Sequence, residues 1–70
     1  MGDGFSFIHK GVTHKISKID FDSATGELIT LKLDPDHQLA RRVLARHIKA
    51  NLSFNPDNFL RELSEEIKHT

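Results

Sequence analysis

Glu27-Leu28-Ile29-Thr30-Leu31-Lys32-Leu33-Asp34-Pro35-Asp36 is the stretch on which the fold turns. Up to Leu33 it alternates as a half-buried strand, with Ile29, Leu31 and Leu33 on one face and Thr30 and Lys32 on the other. Asp34-Pro35-Asp36 then reads as a helix start. Asp34 is the N-cap, Pro35 suits the first helical position, and the carboxylate of Asp36 complements the positive end of the helix dipole. Composition changes at the same place. Thr, Ile, Phe and Gly dominate before Asp34, and Leu, Ala, Arg and Glu dominate after it.

Upstream, Asp22-Ser23-Ala24-Thr25-Gly26 is a hairpin signal, because the Asp22 carboxylate can cap the turn and Gly26 can take a left-handed conformation. It joins the strand at 27–33 to an earlier one at 12–21. In that earlier strand the alternation slips. Val12, His14 and Ile16 share one phase, while Ile19 and Phe21 share the other, so one residue near Ser17-Lys18 must be absorbed by a β-bulge. Lys10-Gly11 is a turn of two or four residues after a first strand at 5–9.

Downstream, the first helix is expected over 35–50. Leu39, Ala40, Val43, Leu44, His47 and Ile48 form its apolar face, and Arg41, Arg42, Arg46 and Lys49 occupy the rest. Asn55-Pro56-Asp57 repeats the start signal for a second helix over 56–68. Phe59, Leu60, Leu63 and Ile67 lie on its inner side, and Glu62, Glu65 and Glu66 on its outer side. The expected fold is therefore α+β and a single domain over 1–70. A three-stranded antiparallel β-meander (5–9, 12–21, 27–33) is followed by two amphipathic helices packed on one sheet face. Such a meander has two open edges. Leu28 on the nominally outer face and Phe54 in the connector add to the case for a homodimer through an edge.

Several function classes are disfavoured by composition. A chain of 70 residues buries only about 60% of the surface its unfolded form exposes, which leaves little interior for a cleft of several hundred Å³. With no cysteine, disulfides, thiolate metal sites and thiol nucleophiles are excluded, and a reducing, cytoplasmic setting is expected. No serine sits in a Gly-x-Ser-x-Gly elbow, and no Gly-Lys-Ser/Thr loop exists for phosphate. No catalytic residues and no cofactor are expected. Lys and Arg (10) balance Asp and Glu (10), which argues against strong non-specific nucleic-acid binding. No apolar run approaches the roughly 20 residues of a membrane span. Met1 to Ser6 fits the bare pattern for N-terminal acylation, but an acidic residue directly after the glycine matches it poorly. The sequon at Asn51-Leu52-Ser53 carries no meaning without a secretory signal.

Two groups of residues remain. The first is the basic stripe Arg42, Arg46 and Lys49, at i, i+4, i+7 spacing with Arg41 beside it. It suits an acidic protein surface or a nucleic-acid backbone. Alternatively it is neutralised within the chain, Arg41 or Arg42 meeting Glu62, Glu65 or Glu66. The second group is the histidines, five in all. A four-residue first turn would set His9 opposite His14 and allow a shared metal, whereas a two-residue turn would set His14 opposite Phe7. His47 is expected at the edge of the helix interface with one nitrogen bonded. His37, in the first helical turn, is poorly placed for the dipole when charged.

Residues 28–67 resemble the ribbon-helix-helix DNA-binding family. Ile29 to Leu33 would form the ribbon, and Phe59-Leu60-Arg61-Glu62-Leu63 resembles its second helix. The resemblance implies that Thr30 and Lys32 point to bases and that Asn55 approaches a phosphate. Two features depart from it. The helix connector lacks the usual glycine, and an earlier β-segment is available to pair with 28–33 inside the chain.

The expected function is thus a small, non-catalytic interaction or regulatory module of the kind bacteria and their phages encode. It would dock a protein partner through a sheet edge, the open sheet face or the basic helix face. A dimeric DNA-binding regulator and a His-based metal-binding protein are the alternatives.

Overall fold

The computed structural model describes residues 4–69; Met1 to Asp3 of the acylation pattern lie outside them. The chain forms β1 (Phe5–His9), β2 (Val12–Phe21), β3 (Leu28–Asp34), α1 (Gln38–Asn51) and α2 (Pro56–Lys68). The strands make one antiparallel sheet in the order β1-β2-β3, so the expected meander followed by two helices is what forms.

The first hairpin turn has two residues. His9 pairs with Val12, and Lys10 and Gly11 both take positive φ, 54° and 78°. This is the mirror-image turn whose twist matches paired strands. It fixes the register so that Phe7 faces His14.

The expected bulge is Ser17. Ile16 pairs with Leu33 and Lys18 with Lys32, leaving Ser17 as the extra residue on β2. Ile16 and Ile19 therefore both turn inward despite their odd spacing. A second irregularity lies further on. Asp20 pairs with Thr30 and Phe21 with Leu28, so Ile29 is an extra residue on β3. It reverses the expectation for two side chains. Leu28 packs against the core, and Ile29 is 68% exposed.

Asp22 organises the β2–β3 turn as anticipated. Its carboxylate accepts the backbone N–H groups of Ala24 (2.8 Å) and Thr25 (3.3 Å). Gly26 sits at φ 76°, and a Cβ there would lie 2.7 Å from Cα of Lys49. The turn thus seats directly on the C-terminal half of α1.

The start of α1 differs from the sequence expectation. Asp34 ends β3, paired with Lys15, and the Asp34–Pro35 peptide is cis. Neither residue caps the helix. His37 is the N-cap, its imidazole accepting the Ala40 N–H, so the helix begins at Gln38. α2 begins where the sequence placed it, with Asn55 as N-cap accepting from Asn58 and Pro56 in the first turn.

Both helices cover one sheet face. The core is Phe7, Ile16, Leu31, Leu33, Ala40, Val43, Leu44, Ile48, Phe59 and Leu63. Phe59 meets Phe5, Phe7 and Phe54 with ring centroids 5.9–6.1 Å apart, which holds α2 against β1. Fully burying a side chain of this kind stabilises by roughly 1.5–3 kcal/mol. No described helix is long and apolar enough to cross a membrane.

Candidate functional site

The basic residues of α1 separate into engaged and available groups. Arg41 is half-buried. It binds the Asp36 carboxylate and reaches the backbone carbonyl of Leu31 at 3.4 Å. It therefore covers part of the outer edge of β3. The Arg41 guanidinium also holds Asp36 below the usual carboxylate range. Arg46 pairs with Glu66 at 3.0 Å, so the bridge between the helices runs through Arg46 and not through Arg41 or Arg42. Glu62 turns inward to His47, and Glu65 pairs with Lys68. Arg42 and Lys49 are exposed and have no ion pair among the described residues.

Arg42 and Arg46 rim a cleft of about 200 Å³ between the helices. Its floor is Leu39 and Val43, and Glu66 stands on the opposite wall. Arg42 follows Leu39 by three positions and Arg46 follows Val43 by three, so helical periodicity sets each guanidinium beside an apolar side chain on one side of α1. The sequence marked the arginines; the cleft itself depends on where α2 lies.

A larger cleft of about 280 Å³ opens between β1, β2 and the start of α2, lined by Phe5, Ile16, Ile19 and Phe54. Its cation, Lys18, is 3.6 Å from Asp20 and is partly satisfied. Both clefts are smaller than the usual small-molecule pocket of about 300–1,000 Å³.

No known protein family, curated protein or solved structure matches this chain.

The two-residue turn separates the histidines that a longer turn would have paired. His14 is buried, stacked on Phe7 with centroids 5.2 Å apart, and its Nδ1 donates to the Pro35 carbonyl at 2.7 Å. His9 instead meets His37, Nδ1 to Nε2 at 2.8 Å. His37 also lies edge-on to His14, with centroids 4.9 Å apart. Three imidazoles thus gather where β1, β2 and the start of α1 meet. They are unsuited to a shared metal as they stand. Nδ1 of His37 accepts from Ala40, so the neutral ring carries its proton on Nε2, the nitrogen that faces His9. Among the described residues no three His or carboxylate side chains form a metal-binding group.

His47 is also not at the boundary. It is buried and bonded at both nitrogens. Asn55 donates its N–H to Nε2 at 3.0 Å, and Nδ1 donates to Glu62 at 3.2 Å. On the outer sheet face, Lys32 is exposed and Thr30 half-buried, with Lys18 opposite Lys32 and Asp20 opposite Thr30.

Proposed function

We propose that this chain is a non-catalytic interaction module that captures an acidic protein segment along the basic side of α1. The observation that carries the reading is the placement of Arg42 and Arg46 over the apolar floor of Leu39 and Val43. An apolar side chain of the partner enters the cleft, and its flanking carboxylates meet Arg42 and Arg46. Lys49 extends the same positive strip. Arginine suits this task because its fork donates two parallel N–H bonds to one carboxylate. Exchanging the exposed Arg46–Glu66 pair for a partner carboxylate costs little, because such pairs contribute about 0–1 kcal/mol.

A dimeric DNA-binding regulator is the second reading, favoured by the outward pair Lys18 and Lys32 beside Thr30. Asp20 and Asp34 on the same face offset that charge. Arg41, lying on the Leu31 carbonyl, occupies part of the edge that a ribbon partner would use.

The double variant R42E/R46E is expected to lose capture of its partners from the source cell, while K32E retains them. Retained capture by R42E/R46E, together with duplex-DNA binding that weakens steeply with salt and is lost in K32E, would move the function to the sheet face.

A further inference from the structure

We infer that His37, set between His9 and His14, is an acid-sensitive latch on the N-terminus of α1. The geometry assigns each proton of the neutral state. Ala40 donates its N–H to Nδ1 of His37 at 3.1 Å, and Nε2–H of His37 donates to Nδ1 of His9 at 2.8 Å. One ring therefore caps the helix with one nitrogen and ties it to β1 with the other. Phe7 backs the ring edge-on, with centroids 5.7 Å apart.

Protonation of His37 must place the new hydrogen on Nδ1. The cap acceptor becomes a donor aimed at another donor, and a positive charge appears at the helix end that already carries the positive pole of the dipole. The charge would also lie against the imidazoles of His9 on β1 and His14 on β2. Protonation of His9 at Nδ1 removes the second bond in the same way. Asp36, beside the ring, and its partner Arg41 on α1 are the other charges nearby; Asp36 favours the charged ring, but its carboxylate is already bound to Arg41.

Burial, followed by His9 and His14, lowers the His37 pKa from the ordinary 6.5. The unfolded chain therefore binds this proton at higher pH than the folded one does. The stabilisation is complete above 6.5 and is lost as the pH falls through the depressed folded value. At the other helix the cap acceptor is the amide oxygen of Asn55, which cannot gain a proton in this range.

The test is a pH titration of the full chain by NMR, from about pH 8 to pH 5. His37 should titrate below 6.5. The Ala40 amide should lose roughly five- to tenfold of its protection against hydrogen exchange (corrected for the intrinsic pH effect) along the same curve. The wild-type melting temperature should fall by about 4–8 °C more than that of H37N over this range, because asparagine caps without charging. An Ala40 amide that stays protected while His37 titrates would overturn the latch. So would a His37 that titrates above 6.5, or an H37N variant with the same acid loss as the wild type.

Discussion

The backbone N–H of Asn55 donates to Nε2 of His47 at 3.0 Å. Asn55 is the N-cap of α2, and His47 lies buried on α1. One imidazole thus fixes where the second helix begins relative to the first, and its other nitrogen holds Glu62 about two turns further along α2.

Replacing His47 by Leu should therefore cost more than its volume suggests. It leaves the Asn55 N–H without its acceptor and removes the partner of Glu62. A loss of about 2–4 kcal/mol is expected in urea denaturation. Glu62→Gln retains a carbonyl oxygen for the Nδ1–H and should cost under about 1 kcal/mol.

Gly26→Ala should destabilise by about 2 kcal/mol or more. The position combines φ 76° with a Cβ that would lie 2.7 Å from Cα of Lys49 and 3.0 Å from the Ile48 carbonyl. Those neighbours are backbone and cannot rotate aside. Gly11→Ala, with the same sign of φ but open space around it, should cost less. The difference between the two urea midpoints isolates the contact between the turn and α1.

Lys10→Asn should stabilise the protein by about 0.5–1 kcal/mol. Lys10 holds φ 54° in the two-residue turn, a conformation asparagine tolerates better than lysine. A higher melting temperature is expected, with the His9–Val12 pairing unchanged by NMR.

The sequence carried the fold wherever the signal was local. The phase slip between Ile16 and Ile19 located the bulge at Ser17, and Asn55-Pro56 located the start of α2. It misplaced the start of α1 because Asp34-Pro35-Asp36 has the residues of a cap while Asp34 is held in the sheet opposite Lys15. An imidazole cap gives no such local signal. Leu28 and Ile29 exchanged faces because a bulge on β3 leaves no slip in a strand so short. The candidate site was half legible. Helical spacing showed Arg42, Arg46 and Lys49 on one side, but which arginine reaches Glu66 depends on the packing of α2. The histidine cluster was invisible, since His9 and His37 are 28 residues apart and meet only through the sheet.

The most direct test of the docking account is a chemical-shift titration of the full chain with a glutamate-rich peptide carrying one central leucine. Saturable shifts should appear at Leu39, Arg42, Val43, Arg46 and Glu66, should weaken as salt is raised, and should vanish in R42E/R46E. Shifts confined to Lys18, Thr30 and Lys32, or no saturable shift at low salt, would contradict it.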